Sequence, residues 1–94
     1  MIYRSHQPDL QVPAIPFPTL VLRQTTQFKS KPALIDAASG VTLTYEELAR
    51  GVRCMAAHLA QRGFVHGDVL VIYTSNCPEF VMAFHAAASL GGIV

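Results

Sequence analysis

Hydrophobic and polar positions along the chain mark out one helix before anything else. From Thr44 onward, Tyr45, Leu48, Val52, Met55 and Leu59 recur three or four residues apart, the stripe of a helix packed on a core. Thr44-Tyr45-Glu46-Glu47 is a capping box at its start. Glu46 and Arg50 are spaced to pair on the outer side, and Arg62 stands in the last turn, where the helix dipole favours a cation. Gly63 supplies a left-handed stop. Upstream, Pro32–Asp36 and Val41–Thr44 flank the turn residues Ala38-Ser39-Gly40, which predicts a β-hairpin.

Downstream the period changes. Val69-Leu70-Val71-Ile72-Tyr73 is apolar without alternation, the pattern of a strand buried on both faces of a parallel sheet. Thr74, Ser75 and Asn76 offer caps, and Pro78 opens a second helix through Leu90. That helix is apolar nearly all round and is predicted to be buried. Gly91-Gly92 ends it and Ile93-Val94 begins another parallel strand, so residues 69–94 read as a βαβ unit whose second strand is cut off.

At the other end, Pro8, Pro13, Pro16 and Pro18 predict an extended arm over residues 1–18, anchored by Ile2, Tyr3, Leu10, Val12 and Phe17. Thr19 to Phe28 permits a short helix. Residues 19–94 are expected to form the incomplete opening of a larger α/β domain. The chain stops on its most apolar segment, whereas termini of finished domains are ordinarily exposed and frayed.

Composition agrees with that expectation. Hydrophobic residues make up 51% and charged residues only 14%, against about a quarter in average domains. A net charge of +1, without a basic cluster, gives no footprint for nucleic acid or an anionic membrane. The start carries no apolar leader, and the long apolar stretch is interrupted at Thr74–Asn76 and Pro78-Glu79, too early for a membrane span. Cys54 and Cys77 are too few for a disulfide framework or a metal knuckle and read as buried free thiols, so an intracellular protein is expected.

The chemistry-bearing residues are sparse. The glycines form neither a G-x-x-x-x-G-K-[ST] nor a G-x-G-x-x-G phosphate cradle. His6, His58, His66 and His85 lack partners at metal-ligand spacing and read as satisfied structural residues. Ser75 has no nucleophile elbow, Cys54 and Cys77 have no base nearby, and capping and pairing account for Glu46 and Glu47. One place stands out: Thr74-Ser75-Asn76, between the end of a parallel strand and a helix N-terminus, where α/β sheets gather ligands and anions. N-capping with a tight turn explains the same residues without a ligand.

The ordered motifs resemble the N-terminus of the adenylate-forming acyl-CoA synthetase superfamily, closest to the plant 4-coumarate–CoA ligase and 4-coumarate–CoA ligase-like branch. Ile2-Tyr3-Arg4-Ser5 with Pro8-Asp9-Leu10 is similar to that branch's opening. Lys31-Pro32-Ala33-Leu34-Ile35, Leu43-Thr44-Tyr45-Glu46-Glu47-Leu48, Gly67-Asp68-Val69, Ser75 through Phe84 and Leu90 through Val94 resemble successive shared segments. Cys77 stands where serine is frequent and Gly92 where alanine is common. Phe17-Pro18-Thr19-Leu20 departs from the stretch of typical 4-coumarate ligases and points away from hydroxycinnamate specificity, to a "like" member acting on another acid.

The resemblance implies an α/β fold: the N-terminal part of the large AMP-binding domain, with a β-hairpin, two main helices and the start of a parallel βαβ sheet. It implies an ATP-dependent acid–thiol ligase of phenylpropanoid or fatty-acid metabolism. Such an enzyme uses ATP, Mg²⁺ and coenzyme A on a small carboxylic acid, in the cytoplasm or peroxisome. The family's phosphate loop, acidic nucleotide-binding residues and catalytic lysine match no position here. No catalytic, cofactor-binding or metal residue is therefore assigned, and none of these cofactors is expected to bind residues 1–94 alone. The rest of the parent domain is needed to cover residues 80–94. The competing readings are a non-catalytic truncated product acting as an interaction module and an unrelated small α/β binding domain covered by partner chains.

Overall fold

The computed structural model describes Met1 to Val94, with the elements α1 (Phe17–Leu22), β1 (Pro32–Ile35), β2 (Thr42–Thr44), α2 (Tyr45–Gln61) and α3 (Pro78–Ser89). Helix α2 starts on its capping box. The Glu47 amide donates to Thr44 Oγ1 at 3.2 Å, and Glu47 Oε2 accepts from the Thr44 amide at 2.8 Å. The Thr44 amide, then the Thr44 hydroxyl, hold the Glu47 carboxyl below the ordinary glutamate value, and the charge of Arg50 adds to this. Arg50 thus bears on Glu47 as well as standing one turn from Glu46.

Because the Glu47 value is lowered on folding, its contribution is present above the ordinary value of 4.5 and is lost as pH falls through the depressed one. Thr44→Ala is expected to destabilise the start of α2 by about 1 kcal/mol, the usual worth of a threonine cap. It should also flatten the acid limb of α2 stability, followed by amide exchange between neutral and acid pH. An acid limb identical to that of the parent chain would refute the cap's role.

Both long helices end in the same way, each with a glycine in left-handed conformation. Gly63 (φ 89) donates to the Ala60 carbonyl while Phe64 donates back to Leu59; Gly91 (φ 74) donates to Ala88 while Gly92 donates back to Ala87. These paired bonds are Schellman motifs, which satisfy carbonyls left over by the last turn. Gly92 is fixed by packing rather than by φ: a Cβ there would lie 2.5 Å from the Phe64 ring. The ring occupies the space an alanine methyl would need.

The hairpin pairs Leu34 with Leu43 and Ile35 with Thr42, with an irregularity between Pro32 and Leu34. Asp36 builds its turn, Oδ1 accepting from the Ala38 amide at 3.1 Å and Oδ2 from the Ser39 hydroxyl at 2.7 Å. Those two bonds, the hydroxyl first, hold the Asp36 carboxyl below its usual range.

Leu48, Val52 and Ala86 form the centre of the core where α2 crosses α3, with Leu22, Leu34, Val81 and Met82 packed around them. Val69 and Ile93 form a parallel bridge, with Leu70 donating to the Ile93 carbonyl at 2.7 Å and Ile93 donating to Asp68 at 2.8 Å. The β-hairpin, the two main helices and the opening of a parallel βαβ unit are therefore present as the sequence predicts.

Four expectations are corrected. Helix α1 runs from Phe17 to Leu22 rather than from Thr19 to Phe28. Pro16 and Pro18 start it because their preset φ and missing amides suit a first turn, and beyond Leu22 the chain passes through turns at Thr25 and Gln27. Ile2, Tyr3, Leu10 and Val12 are exposed rather than anchoring; of the expected anchors only Phe17 packs on the body. The segment 69–73 is not buried on both faces: Leu70 and Ile72 are half-buried, while Val71 is 82% and Tyr73 101% exposed. Helix α3 is fully buried only at His85, Ala86 and Ala87; Val81 to Phe84 and Ala88 are half-buried, and Phe80 is exposed. Segment 69–73 is paired only through the Val69–Ile93 bridge, and the helices packed on α3 are α2 and α1.

Candidate functional site

The place singled out by the sequence lies where the chain leaves segment 69–73 and enters α3. The hairpin turn brings Asp36, Ala37 and Ala38 opposite Asn76, Cys77 and Pro78, enclosing a groove of about 420 Å³ floored by Leu34 and Val81. Proline at the first helical position removes one amide that would otherwise need a partner, and Cys77 takes the N-cap position in extended conformation. Neither Cys77 nor the residues before it caps α3 through a side chain. The expected capping by Thr74, Ser75 or Asn76 is corrected accordingly. The Thr74 hydroxyl instead lies 3.9 Å from Cys77 Sγ.

Asp36 is the one charged side chain lining the groove, and no lysine or arginine is present to balance a triphosphate. Nor do any three His, Cys, Asp or Glu side chains gather in a way that could hold a metal ion. Cys77 is half-buried and Cys54 exposed, both as free thiols, so the expectation of buried cysteines fails for Cys54. It lies on the outer face of α2, off the apolar stripe. No helix is long and apolar enough to cross a membrane.

The histidines divide. His6, His58 and His66 are exposed, whereas His85 is buried on α3 beneath Phe17. Its Nδ1 has no hydrogen-bond partner, so the expectation of a satisfied structural histidine is corrected for this residue. Burial alone lowers its pKa from 6.5. Sequence reasoning had one signal for it, a lone imidazole in an otherwise apolar helix.

A capped helix crossing a second helix, beside a hairpin and the first bridge of a parallel sheet, defines a mixed α/β fold. The AMP-binding enzyme family matches residues 21–94, and the chain belongs to that family. It is 38% identical over 94 residues to 4-coumarate–CoA ligase CCL1 of Humulus lupulus and 37% identical to 4-coumarate–CoA ligase 1 of Solanum tuberosum. Each alignment covers 99% of the chain but only 17% of the relative's length.

Solved structures agree on the fold. The N-terminal subdomain of Klebsiella oxytoca NpsA, in complex with 3-hydroxyanthranilyl-AMSN, superposes with a TM-score of 0.75 at 26% identity, over 82% of this chain and 19% of that one. A Mycobacterium tuberculosis fatty acyl CoA synthetase gives 0.73 at 28% identity, over 80% of this chain and 15% of its own.

Proposed function

We propose that residues 1–94 are the opening segment of an ATP-dependent carboxylate–CoA ligase. The observation that carries this reading is the alignment of nearly the whole chain with 4-coumarate–CoA ligases. In the reaction proposed, a substrate carboxylate oxygen attacks the α-phosphorus of ATP and pyrophosphate leaves. The thiol of coenzyme A then attacks the acyl carbonyl of the acyl-adenylate and AMP leaves. Adenylation supplies a good leaving group, and Mg²⁺ with cationic side chains offsets the phosphoryl charge.

Residues 1–94 contribute none of those charged groups. Their part is structural: the crossing of α2 and α3 supports the strand that begins the parallel sheet. The substrate proposed is 4-coumarate or a related aromatic or fatty acid, the departure at Phe17–Leu20 favouring an acid other than a hydroxycinnamate. The compartment proposed is cytoplasm or peroxisome. A second reading, a non-catalytic product serving as an interaction module, draws on the exposed apolar edge at Val71 and Tyr73.

Acid-dependent exchange of pyrophosphate into ATP separates the two. The protein in which this segment continues into a complete AMP-binding domain is expected to catalyse exchange with at least one hydroxycinnamic or fatty acid. The 94-residue chain alone is expected to catalyse none. Absence of exchange across both acid classes in the complete protein would leave the interaction reading in its place.

A further inference from the structure

The contact between α1 and α3 contains a polar group for which the ligase reading has no use. His85 is only 8% exposed. Its imidazole stacks on the Phe17 ring with centroids 5.6 Å apart and planes 15° apart, and Phe84 closes the cluster edge-on to both rings. Phe17 itself is 54% exposed, while Pro18 beside it is buried. His85 Nδ1 is shut from water without a hydrogen-bond partner. An imidazole held this way is neutral with its one proton on Nε2, because a second proton on Nδ1 would be a buried cationic donor with no acceptor.

We propose that His85 makes the α1–α3 contact acid-labile: uptake of a proton from water at Nδ1 detaches Phe17, and with it α1 and the proline-rich arm, from α3.

The surroundings offer nothing to hold an imidazolium in place. Helix α1 carries no ionisable side chain. Arg23, just past its end, and Arg53 on α2 line the adjacent groove together with Ser89 of α3, and both are cations. Glu79 lies in the first turn of α3, and no neighbouring charge acts on the imidazole. The π face of Phe17 attracts a cation, but it acts through the ring plane and leaves the Nδ1 proton without an acceptor. The sign follows from the lowered folded-state pKa. The contact is fully formed above the free value of 6.5 and weakens as pH falls below it, until the depressed value is passed.

Hydrogen exchange of the intact protein, corrected for intrinsic rates at each pH, tests this. Protection of the α1 amides is expected to fall by up to about tenfold per pH unit below the free imidazole value, while α2 amides keep theirs. In His85→Leu, and in His85→Asn should the leucine variant fail to fold, α1 protection is expected to stay level over the same range. Level α1 protection in the parent protein would overturn the proposal. So would an acid loss that persists in the variants, or one shared equally by α2, which would mean global acid unfolding instead of a local release.

Discussion

Replacing Leu48 by alanine is expected to cost the α2–α3 core about 2–5 kcal/mol, the range for a buried leucine truncated where neighbours cannot close the gap. Leu48 is 6% exposed, and the other residues of the buried hydrophobic core are Ala49, Val52, Ala86 and Ala87. Three of those four are alanines, with no side chain long enough to move into the space left behind. Natural domains have about 5–15 kcal/mol of stability in all, so this single change removes a large share. Exchange of the α2 amides in the intact protein reads the loss directly. Cys54→Ala, on the exposed side of the same helix, is the control and is expected to stay within about 0.5 kcal/mol of the parent. A Leu48→Ala loss as small as the control's would mean that the crossing of α2 and α3 is not the core.

The second large effect concerns the 94-residue chain on its own, which is expected to bind a hydrophobic dye and self-associate. Ordering a backbone costs about 1–2 kcal/mol per residue, and against that the chain buries eight residues. Segment 69–73 presents Val69, Val71 and Tyr73 to solvent beside an exposed Ile93, and past the single bridge its backbone has no partner strand. Unpaired apolar edges of this kind invite pairing with other chains. Lysines at both Val71 and Tyr73 are expected to suppress the self-association, since charge on an edge opposes it. Light scattering and dye fluorescence of the two chains make the comparison. A sharp, cooperative, monomeric melt of the parent chain would sink the prediction.

The parts of the fold legible from sequence were those whose causes are local. The Thr44–Glu47 box, the Gly63 and Gly91 stops and the Ala38–Gly40 turn each rest on residues within a few positions of one another, and each forms. Elements whose extent depends on distant partners were read less well. The segment 69–73 has the composition of a doubly covered strand, yet it pairs only through the Val69–Ile93 bridge, and cover comes only from one side. The tetrad Thr74–Cys77 has cap-forming residues, but which of them reaches an amide depends on how the chain enters α3. Of the candidate site, the location was legible and the groove was not, because its other wall is the hairpin turn some forty positions earlier in the chain.

By itself the sequence determined the two long helices and their glycine stops, the hairpin and the family to which the chain belongs. Those depend on residue order and on short-range hydrogen bonding, both of which a linear pattern carries. Only the tertiary structure decided that Asp36 faces Asn76 across an apolar groove without a cation, that Phe64 fills the space at Gly92, and that His85 lies under Phe17 with Nδ1 unpaired. Each of these is a contact between segments far apart in the chain. Burial and charge balance follow from which surfaces meet, and no local pattern encodes that.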